Sequence, residues 1–300
     1  MSATVATKPA SAASVPLALA AVYVIWGSTY LAIRFALEGG FPAFLLGGVR
    51  FLVAGSLMYG VLRWRGVPAP TRAQWRNLAV MGVLLLLMGN GMVNLGEQTV
   101  SSGMTAVIVS SSALWMGVFA ALRGHRPSTM EWSGLGIGFL GVLWLSTGGS
   151  LAGTPMGLAA LLLASVAWSF GSIWSKGRDL PSPFMAAAGQ MLCGGVAMVV
   201  LGVALKERFH GLPTAHAIGA FWYLVVLGSL AGFSAYIWLL HHVRPALATS
   251  YAYVNPAIAV VLGAALAQER FGVRELAAMG VILLGVVLIT LAKVFERQPA

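Results

Sequence analysis

The side chains that could do chemistry are few: eight Asp and Glu, eighteen Lys and Arg, five His and one Cys among 300 residues. No Ser/His/Asp set, pair of acids or Walker loop can be assembled from them, so chemistry on a substrate and nucleotide hydrolysis both lack residues. Gly136-x-Gly138-x-x-Gly141 spells the dinucleotide fingerprint, but no strand precedes it, and related glycines recur as Gly280 and Gly285. Small residues so spaced let helix backbones approach, and helix packing is the expectation for them and for Gly228 and Gly232. His241 and His242 are adjacent, so on a helix they diverge, and no carboxylate or thiol accompanies them. Cys193 is alone, which excludes a disulfide framework or a clustered thiolate site within one chain. No catalytic residue, metal or cofactor is expected.

What remains is the chemistry of holding a solute inside an apolar medium. Arg50 lies about eight residues past Pro42, roughly 12 Å along a helix, and a cation that deep needs an acceptor. Glu38, Glu97 and Arg34 fall near the same span ends and are expected to form one cluster of alternating charge. Arg50 is read as a gate or a contact for a substrate carboxylate, against a purely structural pair; for Arg34, Glu38 and Glu97 interfacial side chains reaching water are the plainer reading. Asn90 and Asn94 are four apart, with Glu97 one turn on, so one helical stripe should line the interior and bind the polar end of a solute, or else join helices. Ser111 with Trp115, and Tyr251 with Asn255, make similar pairs. Pro256 removes a backbone donor and frees the carbonyl of Ala252, which a substrate ammonium, a water or the Asn255 side chain could satisfy. Trp26 and Tyr30 share a face, as do Trp168 and Ser172, and Tyr236 adds to the rings. Deep aromatics of this kind can wall a chamber for an apolar or aromatic solute. The expected chamber thus comprises Trp26, Tyr30, Arg50, Asn90, Asn94, Ser111, Trp115, Trp168, Ser172, Tyr236, Tyr251 and Asn255, with Arg34, Glu97 and Pro256 as gate or helix-break positions.

The elements that must position these residues are membrane spans. The chain is 59% hydrophobic and 9% charged, against about 45–50% apolar and ~25% charged in a soluble domain. Apolar runs read against Pro, Gly and charge give ten helices, near 16–37, 42–62, 76–95, 101–122, 131–147, 154–175, 183–205, 217–240, 245–267 and 272–293. Residues 1–15 and 294–300 read as cytoplasmic tails. The net charge of +10 is not gathered on one wet face, so it does not point to nucleic acid. Twelve Lys and Arg fall on the side of the amino terminus and four on the other, with Arg34 and Arg50 inside spans. That bias places both termini in the cytoplasm.

The chain is also internally duplicated. Glu131, Gly136 and Gly141 recur 144 residues later as Glu275, Gly280 and Gly285; Thr105 meets Thr249; and Trp26 with Arg34 repeats the spacing of Trp168 with Lys176. Units of 16–150 and 151–293, each with five spans, must enter the bilayer in opposite orientations. The fold class expected is therefore all-α integral membrane, ten transmembrane helices as two inverted five-helix repeats around a central cavity, the design of an alternating-access carrier.

Arg50-Phe51 with Ala54, Asn255-Pro256, and Ala-Gln-Glu-Arg-Phe at 267–271 with Gly280 and Gly285 resemble the drug/metabolite transporter superfamily. The EamA-type metabolite exporters, and among them the YddG-type bacterial aromatic amino-acid exporters, are the most similar. Where the second half has Pro256 and Glu269, the first has Ser112 and His125, so those positions carry over to the second half alone. The resemblance implies a multi-pass carrier of the bacterial inner membrane moving amino acids or related metabolites outward. Every acid lies at or near a span end, so facilitative uniport is expected over proton coupling. A proton-coupled antiporter, a membrane enzyme acting on lipid-linked substrate and a channel are the alternatives. The partners expected are a small solute and lipid, with no nucleic acid, and the carrier is expected to be a monomer.

Overall fold

The computed structural model describes residues 14–124, 128–146, 153–209, 211–242 and 251–295. His125, Thr249 and most of both tails lie outside the described residues. All regular structure within them is helical: α1 (Ser14–Glu38), α2 (Ala43–Trp64), α3 (Arg72–Gly96), α4 (Ser102–Ser110), α5 (Ser112–Leu122), α6 (Thr129–Ser146), α7 (Pro155–Ser175) and α8 (Pro183–Ala204) lead to α9. Helix α9 runs through Ala215–Tyr223, Leu224–Ala231 and Gly232–His242, and α10 (Tyr251–Leu266) and α11 (Val273–Phe295) complete the chain. Seven helical stretches are long and apolar enough to cross a membrane: α1, α2, α3, α4 with α5, α7, α8 and α9. Helices α6, α10 and α11 are three further apolar helices in the expected places.

Short polar residues start the helices by accepting the first free backbone N–H groups. Thr71 and Gln74 form a capping box, which starts α3 at Arg72, four residues ahead of the apolar run. Ser101 accepts from Met104, Thr214 from Ala217, and Thr154 from Gly157 just ahead of Pro155.

Two departures from regular winding were not expected. Gly82–Gly91 in α3 and Leu224–Ala231 in α9 are π-helical, with hydrogen bonds reaching one residue further than in an α-helix. The fourth span also breaks at Ser111, between α4 and α5. Ser165 and Ser169 of α7 take the carbonyls of Ile108 (3.3 Å) and Ser112 (2.8 Å) at that break. In the second half the related position is Pro256, which sits inside α10 without ending it.

The principal helix pairs recur when the two halves are exchanged, although α11 also packs on α4 and α5. α2 packs on α8 and α6 on α11; α1 packs on α9 and α10 as α7 packs on α3 and on α4 with α5. Glycines set the closest approaches. A Cβ on Gly195 would stand 3.0 Å from the Gly48 carbonyl, and one on Gly285 only 2.6 Å from the Gly134 carbonyl. Gly141 and Gly285 therefore pack helices as the spacing predicts, whereas Gly136 and Gly280 face outward with nothing within 4 Å. Gly228 and Gly232 differ from the expectation: they make room for side chains, Arg50 and Trp26, and not for another backbone.

Candidate functional site

The interior presents an aromatic cluster beside a buried cation, and a charged mouth. The cluster is built on Trp26 of α1. Its indole packs on Phe233 and Tyr236 of α9 and Tyr251 of α10, with ring centroids 5.4, 5.2 and 4.9 Å away. Tyr236 and Tyr251 are themselves edge to face at 5.5 Å. The indole N–H donates to the Gly228 carbonyl at 3.1 Å, inside the π stretch. Tyr30, a turn further along α1, is partly buried and lies within electrostatic reach of Glu97.

Arg50 adjoins this cluster through Gly228, whose Cβ, if present, would stand 3.0 Å from Nη2. It is 5% exposed. The expectation of a carboxylate acceptor is not met: Arg50 Nε donates to the Ser229 hydroxyl at 2.9 Å, and the guanidinium lies 4.8 Å from the Phe51 ring centroid. Glu38 instead pairs with Arg34, and Glu97 with neither cation. Hydrogen bonds to a charged group are each worth about 1.5–3 kcal/mol. Ser229→Ala is accordingly expected to destabilise the protein by about that much, read as a lowered thermal midpoint in detergent; an unchanged midpoint would show that Arg50 is held by other means.

The other half repeats part of this arrangement. Trp168 lies against Gly89 of the α3 π stretch, 3.1 Å from where its Cβ would be, as Trp26 lies against Gly232. Ser172 donates to the Trp168 carbonyl of its own helix. Trp115 is set apart, edge to face with Phe139 of α6 at 4.9 Å. Its indole N–H and the Ser111 hydroxyl are buried without partners.

The two amides expected on one stripe are engaged differently. Asn94 donates to the Ala43 carbonyl of α2 at 2.9 Å, with its own oxygen buried and unpartnered, while Asn90 reaches back to the Leu85 carbonyl at 3.4 Å. With its amide assigned so that nitrogen meets the two carbonyls it faces, Asn255 donates to Tyr23 and Tyr251, 3.2 Å from each. It thereby joins α10 to α1, and the carbonyl it takes in its own helix is that of Tyr251 and not Ala252.

The charged mouth lies where α1 and α3 end and α4 begins. Arg34 donates through Nε to Glu38 at 2.7 Å and through Nη1 to Glu269 at 2.5 Å. Glu269, 3% exposed at its side chain, also accepts from the Ser102 N–H (2.8 Å), the Ser102 hydroxyl (2.7 Å) and the Gly103 N–H (3.1 Å). A carboxylate on the free N–H groups of a helix start is doubly favoured, by hydrogen bonding and by the helix dipole. A parallel device starts α2, where Glu207 accepts from Phe44 and Leu45. In both cases the preceding residue, Gln268 at φ 53° or Lys206 at φ 59°, is left-handed and turns the glutamate back under its helix. A cavity of 640 Å³ opens at this mouth between Arg34, Glu38, Glu97 and the 267–270 turn.

Glu97 sits just past the end of α3. Neither of its carboxylate oxygens has a partner. Burial, and next the charge of Glu269, push its carboxyl well above the usual carboxylate range, with Arg34 opposing. Glu269, Ser229 and Phe233 were missed as site residues, as were the bridging Ser165 and Ser169. Glu269 alone carried a sequence signal, its place in the 267–271 motif.

An apolar helical bundle of two like halves, with buried polar groups confined to its interior, defines a multi-pass membrane protein. The chain belongs to the EamA-like transporter family, whose family model matches it twice, over residues 13–147 and 155–291. It is 42% identical over 284 residues to YedA, an uncharacterized inner membrane transporter of Escherichia coli (strain K12), covering 94% of this chain and 92% of that one. It is 26% identical over 291 residues to YvbV, an uncharacterized transporter of Bacillus subtilis (strain 168), covering 95% and 94%. A solved crystal structure shares the fold with a TM-score of 0.65 at 18% identity, covering 93% of this chain and 98% of its own.

Proposed function

We propose that this transporter exports amino acids, aromatic or otherwise amphipathic, and related metabolites across the bacterial inner membrane by alternating access, as a facilitative uniporter with both termini in the cytoplasm. Two five-pass units of opposite orientation exchange conformations in this reading, and the cluster around Trp26 and Arg50 faces each compartment in turn. The observation that carries it is the principal helix pairing that recurs on exchange of the halves, with Trp26 and Trp168 each lying on a glycine in or next to a π stretch. The aromatic walls suit a ring, and Arg50 suits a carboxylate. The name of the E. coli relative supports the inner membrane.

Purified protein in liposomes should show saturable, trans-stimulated counterflow of radiolabelled phenylalanine. Each ring contact contributes about 0.5–1.5 kcal/mol, so Trp26→Ala should raise the half-saturating concentration roughly two- to tenfold. Linear, unsaturable flux would indicate a channel, and no flux for any amino acid in a screen would end the substrate assignment.

A further inference from the structure

The Glu97 carboxylate takes no part in the contacts so far described. It is 5% exposed and both oxygens are enclosed without a hydrogen bond, yet the residue lines the wall of the cavity at the charged mouth. The groups that face it are Tyr30, Arg34 and Glu38 from α1, and Glu269 and Arg270 from the turn after α10. Helix α7, packed against the end of α3, brings no titratable side chain among the described residues. From α2, Arg50 is bonded to Ser229. Arg34 is the cation whose charge opposes the neutral form of Glu97, and its Nε and Nη1 are taken by Glu38 and Glu269. A carboxylate enclosed in this way, with no hydrogen-bond partner from the protein, is stable in its neutral form.

We propose that Glu97 is a proton-binding site linked to the outer mouth, occupied while Arg34 and Glu269 are joined and vacated when they part. When the pair separates, water of the cavity reaches the carboxyl; its O–H bond breaks, the proton passes to that water, and the carboxylate becomes available to Arg34 in place of Glu269. Closure reverses each step. The proton enters and leaves through one compartment, so the site gates transport without driving it and is compatible with uniport. The closed mouth holds one proton more than the open one. Acid on that side therefore favours closure and alkali favours opening, by up to about tenfold in the closed-to-open ratio per pH unit. Calling the mouth outer rests on the proposed export reading; the bound proton does not.

The test is infrared spectroscopy of the full chain in nanodiscs at neutral pH, with no substrate added. The wild type should show the C=O stretch of a protonated carboxyl group. Glu97→Gln should abolish that band, Glu97→Asp should shift it, and Arg34→Gln should leave it in place. A wild type without the band, a band that survives Glu97→Gln, or a band that first arises in Arg34→Gln because Glu97 had been ionised against Arg34 would each overturn the proposal. The conservative Asp variant and Arg34→Gln keep the decision open to experiment should Glu97→Gln fail to fold. Phenylalanine counterflow with pH varied on the outer face alone then reads the gate, and Glu97→Gln should flatten that dependence. If counterflow is absent while the infrared pattern holds, only the transport reading falls.

Discussion

Glu269→Ala is expected to lower the stability of the protein by about 3–5 kcal/mol, the cost of removing one member of a buried charged network and leaving the rest unpaired. Four donors lose their acceptor at once: Arg34 Nη1, the N–H groups of Ser102 and Gly103, and the Ser102 hydroxyl. The Arg34 side chain is 25% exposed and keeps Glu38, so solvent screening trims the ionic part of the loss. The backbone part is not screened, because Ser102 is wholly buried. Glu269→Gln keeps an oxygen for the start of α4 and should cost less than half as much. Thermal unfolding of the three proteins in one detergent checks the order, and equal midpoints for Ala and wild type would mean that water replaces the carboxylate freely. Arg34→Ala should fall between, since it leaves Glu269 with its three bonds to α4.

The second large effect is expected at a place with no polar chemistry. Gly285→Val inserts a branched side chain where even a Cβ would lie 2.6 Å from the Gly134 carbonyl and from the Cα and N of Gly138. All three contacts are backbone, so no side chain can turn aside and α6 must move off α11. In lipid that pair is held by close packing, with no hydrophobic drive to restore it. Overpacking costs about 1–3 kcal/mol, and a backbone clash belongs at the upper end or beyond. Gly280→Ala, five residues away on the same helix and with nothing within 4 Å, is the control. It should leave the midpoint unchanged or raise it by up to about 1 kcal/mol, because Gly is the poorer helix former. Similar losses from both variants would refute the assignment of Gly285 to the α6–α11 contact.

Both variants lie on features that differ in how far the amino-acid pattern reveals them. The repeat was readable from Gly141 and Gly285 because tight helix contacts demand glycine and leave it in register. Trp26 and Trp168 were likewise readable from their spacing to Arg34 and Lys176. The cluster of Arg34, Glu38 and Glu97 could be placed because all three mark span ends. Its central residue, Glu269, was marked only by its place in the 267–271 motif, and its position in the cluster could not be read because two of its donors are backbone N–H groups that any sequence at the start of α4 would supply. The same holds for Ser165 and Ser169, whose acceptors are carbonyls at a break that no proline announces. Arg50 misled for the opposite reason: a buried cation suggests a carboxylate, whereas Ser229 meets it with a neutral hydroxyl. The π stretches have the composition of ordinary apolar helix, so nothing in residue type separates them from the α-helix on either side.

Those π stretches carry a consequence for how the chain tolerates change in length. A helix wound one residue wider over part of its course contains more chain than its axial length requires. Deleting one residue between Val83 and Met88, or between Val225 and Leu227, can be absorbed by local rewinding, with the register of both flanks kept. The same deletion in α2 or α8 would rotate every later side chain of that helix by about 100°. Two of the core helices thus hold slack, and it lies in or beside the turns on which Trp168 and Trp26 rest.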